Sequence, residues 1–162
     1  MGQQQLILLV LATVIVGLAI VVGIAAFTQG GDRANADAMI QDAVTIASDI
    51  QAAIKKPAPF GGVDDFDEIT FGVIGYPADG TGIDAEHTNG NGQFELEILG
   101  TDDGVLIKGL SSNNPDWDGN DNEDVAQEIQ VAVCGLSEND IQGATFKIGG
   151  QATGQTADLT CT

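Results

Sequence analysis

Positive charge is scarce in this chain. Five Lys and Arg stand against 24 Asp and Glu, a formal net charge of −19, and after Pro59 the only cations are Lys108 and Lys147. Such a surface repels nucleic-acid phosphates and anionic lipid headgroups, so no direct nucleic-acid binding is expected. Side chains that carry chemistry are scarce too: one His, two Cys, one Trp and one Tyr. A catalytic centre needs a nucleophile with its base, an acid of raised pKa, or a metal with an open position. There is no P-loop, G-x-S-x-G or H-E-x-x-H motif, and the missing C-x-x-C-H excludes a c-type haem by that motif. Paired carboxylates such as Asp64 with Asp65 are too common here to mark a hydrolase, so no catalytic residue is assigned and no enzyme is expected. No N-x-S/T sequon occurs.

Apolar residues, by contrast, are concentrated at the head. The run from Leu6 to Phe27, LILLVLATVIVGLAIVVGIAAF, carries no charge. As a helix it rises about 33 Å, enough to cross a hydrocarbon core of about 30 Å. Gln3, Gln4 and Gln5 precede it where a secretory signal has a basic segment and an ordinary anchor has flanking cations. The first cation, Arg33, follows the span. Small residues, among them Gly17 and Gly23, suit close helix packing in an apolar medium.

From Asp32 to Lys55 the pattern becomes amphipathic. Ala36, Met39, Ile40, Ala43, Val44, Ala47, Ile50 and Ile54 recur at helical spacing, Lys55 and Lys56 suit the last turn, and Pro57 and Pro59 stop the helix. Gly30 and Gly31 read as a hinge, or as a cap with a fresh start at Asp32. The chain therefore divides into an apolar helix over 1–31, an amphipathic half over 32–56, and an acidic β-rich domain over 57–162.

In that domain Glu68–Tyr76, Gln93–Leu99, Gly104–Leu110, Ala126–Leu136 and Ala144–Gly150 read as strands, with Ala157–Cys161 as a candidate last one. Strict alternation in QFELEIL turns Phe94, Leu96 and Ile98 inward, and Thr101–Gly104 reads as a hairpin turn. The expected fold is α+β: a long N-terminal helix packed through its Ile40, Val44 and Ile50 face on a small antiparallel sheet or sandwich. If the domain is exported, Cys134 and Cys161 pair and contribute roughly 3–4 kcal/mol of loop entropy. In a reducing compartment they are two free thiols.

Two polar connectors remain, 77–92 and 111–124. In the second, Asp116, Asp118, Asn120 and Asn122 alternate like the opening ligands of a calcium loop, but the glycine falls at Gly119 and Gln127 replaces the bidentate glutamate. One reading is a different oxygen cage completed by Asp124 and its neighbours, with Ca2+ as cofactor. The other is a solvated acidic loop with no cofactor. Trp117, in the same loop, is either an interface contact or part of the core. His87 reads as a solvated side chain.

An apolar helix that runs into an amphipathic half, then a small β domain with a cysteine pair near its end, resembles the type IV pilins. The resemblance extends to atypical bacterial or archaeal-type members with a glutamine-led N-terminus. It implies a helix that anchors the precursor in the membrane and later forms the filament core, here through Gln5, Leu6, Leu9, Val16, Gly17, Val21, Gly23 and Phe27. It also implies removal of a short leader after a glycine, which would be Gly2 with Gln3 as the new first residue. With Met1 first instead, Gln5 stands where bacterial members usually carry glutamate. The partners implied are other copies of the chain, a prepilin peptidase and the inner-membrane assembly machinery. The location implied is an extracellular filament at the cell surface, reached from a membrane-inserted precursor. The alternatives are a pseudopilin of a secretion system and a single-pass anchored surface module that binds calcium or another ligand.

Overall fold

The computed structural model describes residues 2–100, 104–111, 127–148, 151–154 and 159–161. One helix, α1 (Gly2–Lys55), takes 54 residues, a rod of about 81 Å. It passes through Gly30 and Gly31 without interruption, so the expected hinge or restart is absent. Each glycine costs a helix about 1 kcal/mol relative to alanine, and helix-favouring neighbours on both sides outweigh that cost. The rod stops where expected, before Pro57. Gly61 takes the left-handed conformation (φ 83°), and Val63 N–H donates to Ala53 O at 3.3 Å, folding the chain back over the last turn. Gly62 lies so close that an added Cβ would stand 1.7 Å from Lys56 O.

Among the described residues the domain is one six-stranded antiparallel sheet in chain order: β1 (His87–Thr88), β2 (Gln93–Leu99), β3 (Gly104–Leu110), β4 (Glu128–Val133), β5 (Ile141–Ile148) and β6 (Gln151–Ala152). The expected α+β layout of a long helix on a small antiparallel sheet is therefore present. β2 and β3 form the anticipated hairpin, Leu99 opposite Gly104; residues 101–103 of its turn lie outside the described residues.

The second half of α1 lies across one sheet face, chiefly against β4 with β3 and β5 on either side. Met39, Ala43, Ile46, Ala47 and Ile50 are fully or almost fully buried there against Phe94, Ile107, Ile129 and Val131. The buried stripe is rotated from the expected one. Ile46 and Ala53 are inside, Ile40 and Ile54 are half-buried, and Val44 is 40% exposed.

On the other face Gln130 is buried and accepts a hydrogen bond from Leu159 N–H at 3.1 Å. The Cys134–Cys161 disulfide ties this tail down. Gly104 admits it, because a Cβ there would come within 2.7 Å of Cys161 Sγ.

Three further expectations need correction. Glu68–Tyr76 is not a strand: it ends a 3-10 turn at Phe66–Glu68 and continues as the single-turn helix α2 (Phe71–Ile74). Thr70 caps that helix by accepting from Val73 N–H, and Gly75 closes it with φ 84°. Connector 77–92 holds a 3-10 turn at Gly82–Asp84 and the short strand β1, paired with Phe94 and Gln93. Leu159–Cys161 is not a strand; the sheet instead closes on β6.

Candidate assembly surface

The first half of α1 stands clear of the domain. Its large side chains are exposed throughout, from 50% at Val10 to 86% at Phe27, with Leu6, Leu9, Val16 and Val21 between these limits. Gln5 and Gly17 are exposed as well, and Gly23 is half-buried. Gly2 and Gln3 already belong to the helix. The two threonine hydroxyls of the rod are bonded back to the helix, Thr13 donating to Val10 O at 2.8 Å and Thr28 to Ile24 O at 3.0 Å. Hydroxyls bonded back to the helix in this way suit an apolar surrounding.

Leaving this surface in water is costly. Fifteen Leu, Ile, Val and Phe side chains between Leu6 and Phe27 are exposed; at about 1.5–3 kcal/mol each, covering them is worth more than 20 kcal/mol. That exceeds the about 5–15 kcal/mol that holds a typical domain folded. The rod is long and apolar enough to cross a membrane, and lipid or protein must cover it.

Below the rod, among the described residues, four polar fastenings lock α1 to the domain, none of them foreseen from sequence. At the junction Asn35 Nδ2 donates to Gln127 Oε1 at 2.6 Å and to Ser111 Oγ at 3.1 Å, and Gln127 Nε2 donates to Asp32 Oδ1 at 3.2 Å. Next, Asp42 Oδ2 accepts from Asn89 at 2.9 Å and Asn91 at 2.7 Å. Further down, Tyr76 Oη donates to Asp49 Oδ2 at 2.8 Å. Burial, together with the hydrogen bond and charge of Asp49, pushes the Tyr76 phenol up from 10.0 to about 12. Near the helix end, Gln51 Nε2 donates to Gly135 O at 2.7 Å and Ser137 O at 2.9 Å. The available signal was a polar residue at the edge of an apolar stripe, which Asn35 and Gln51 supply.

His87 is buried rather than solvated. Its ring packs edge-on to Tyr76 at 5.0 Å and against Phe71 at 5.6 Å. Its Nδ1–H donates to Pro77 O at 2.7 Å. It is part of the core beside the Tyr76–Asp49 fastening.

The candidate calcium ligands Asp116, Asp118, Asn120, Asn122 and Asp124 lie outside the described residues, as does Trp117. The ends of their connector are joined, Ser111 N–H donating to Gln127 O at 3.0 Å. Gln127, which stands in the place of a calcium-loop glutamate, is buried and committed to Asn35 and Asp32. Among the described residues no group of three His, Cys, Asp or Glu side chains is placed to hold a metal.

Comparison with protein-family models, curated proteins and solved structures finds no match to this chain. The functional reading therefore rests on the rod and its fastenings.

Proposed function

We propose that this chain is the structural subunit of a pilus-like extracellular filament, a pilin in the broad sense. The carrying observation is the rod. A membrane-length apolar surface continues, in one unbroken helix, into a half fastened to a folded domain at four levels. In the precursor lipid covers the rod; in the filament the rods of other copies do, and the acidic domains form the outer layer. Polymerisation needs no covalent chemistry, only apolar burial and close helix packing.

The charge of −19 opposes packing of the domains. Assembly therefore requires salt at a concentration that shortens the Debye length well below about 10 Å, or divalent cations. The test is to move full-length protein from detergent into high-salt buffer and sediment it. Ordered polymer is expected there, with little in low salt plus chelator. Protein that stays monomeric without detergent contradicts the proposal.

A further inference from the structure

The charged side chains of α1 divide into two sets. It carries four acids, and three of them are held by the domain: Asp32 by Gln127, Asp42 by Asn89 and Asn91, and Asp49 by Tyr76. Asp37 alone is exposed and has no hydrogen-bond or ion-pair partner among the described residues. Arg33 and Lys55 on the same helix are likewise exposed and without a partner among the described residues, in a chain where acids outnumber cations 24 to five. With so many acids available, cations left unpaired within the chain are available to another copy.

Position along the helix strengthens this point. Asp37 and Lys55 are eighteen residues apart, which is five full turns and about 27 Å. They therefore lie on one line of the helix, on the side away from the buried Met39, Ala43, Ile46 and Ile50. Between them that line carries Gln41, Val44, Thr45, Ser48 and Ala52, all exposed and, apart from Gln41, short enough to let a second helix approach.

A parallel copy shifted by those eighteen residues sets its Asp37 beside this Lys55 and its Gly23 and Gly30 beside Gln41 and Ser48. Neither glycine is required by packing among the described residues: an added Cβ at either would meet nothing within 4 Å, although each costs the helix about 1 kcal/mol. Antiparallel pairing also joins Asp37 to Lys55 but sends the two apolar rods in opposite directions, so one apolar layer cannot cover both.

We infer that Asp37 and Lys55 form an ion pair between neighbouring copies and fix a parallel stagger of about 27 Å between their α1 helices. This rests on the filament reading and adds the register to it. The partner is a second copy of this chain, recognised by opposite charge at matched positions on the free helix face.

The test uses full-length protein assembled in salt. A chain carrying both Asp37→Cys and Lys55→Cys cannot close a disulfide within itself, because the two sites are about 27 Å apart. Oxidation of its filaments is expected to give a ladder of covalent multimers, with neither single-cysteine chain extending past a dimer. Separately, Asp37→Lys and Lys55→Asp should each lower the sedimentable fraction, and the double reversal should restore it. Both sites are exposed, so near-UV circular dichroism should stay that of the unaltered protein in all variants. Filaments that form normally yet give no ladder, with both reversals assembling like the original, overturn the pairing and leave the filament reading intact. Failure of the unaltered chain to polymerise instead overturns the filament reading itself.

Discussion

Truncating Asn35 to alanine should loosen the junction at which the rod leaves the domain, and the size of the effect follows from its contacts. Asn35 Nδ2 has two hydrogens and four acceptors within reach: Gln127 Oε1 at 2.6 Å, Ser111 Oγ at 3.1 Å, Asn91 O at 3.3 Å and Met39 Sδ at 3.4 Å. The shortest bond goes to a glutamine that is 0% exposed. Alanine strands that amide oxygen at a cost of about 1–3 kcal/mol, and its better helix propensity returns about 0.5 kcal/mol. A net loss of about 0.5–2.5 kcal/mol is expected. Urea unfolding of full-length protein in detergent, followed by near-UV circular dichroism, measures it. That signal reports the domain, because Phe27 is the only aromatic residue on the rod. Adding Gln127→Leu removes the stranded oxygen, so the double variant should lose less than the two single losses combined, by at least about 1 kcal/mol. Losses that simply add, or an Asn35→Ala chain within about 0.5 kcal/mol of the original, refute the reasoning.

Three further outcomes are expected. Tyr76, the only tyrosine, should titrate in an ultraviolet absorbance scan near 12 rather than 10.0, and Asp49→Asn should move it back down. Because the folded value is the higher one, this group's stabilisation is complete below about pH 10 and is lost as pH rises toward about 12. Reducing the Cys134–Cys161 bridge, which spans 27 residues, should cost about 3–4 kcal/mol in denaturant unfolding; an unchanged midpoint would show that the tail is held without it. Gly62→Ala drives a methyl into Lys56 O and should cost about 3 kcal/mol in the same assay, whereas Gly90→Ala, which meets nothing within 4 Å, should cost far less.

The parts of the structure legible in the sequence are those set by local pattern. The uncharged run from Leu6 and the three- and four-residue spacing after Asp32 announce the helix, Pro57 marks its end, and QFELEIL shows its own inward face. Errors arose where two patterns compete. In EITFGVIGY the apolar residues fit either period, and the cap at Thr70 with the left-handed Gly75 decided for a turn of helix. Along α1, alanines next to isoleucines and valine left the direction of the stripe ambiguous by about one residue, and the sheet selected Ile46 over Val44.

What remained hidden depends on long-range pairing. His87 meets Phe71 and Tyr76 only because α2 folds under β1, and Asn35 finds Gln127 across 92 residues of chain. The apolar rod was legible as an uncharged run, while the fastenings of the helix to the domain were not.

The central claim is that the rod is covered by other copies of the chain. Electron microscopy of material sheared from the cell surface, with mass analysis of its main protein and of that protein's N-terminus, tests it most directly. The expected result is thin filaments in which this chain is the principal component. Recovery of the chain in the membrane fraction alone, with sheared filaments that lack it, would contradict the account.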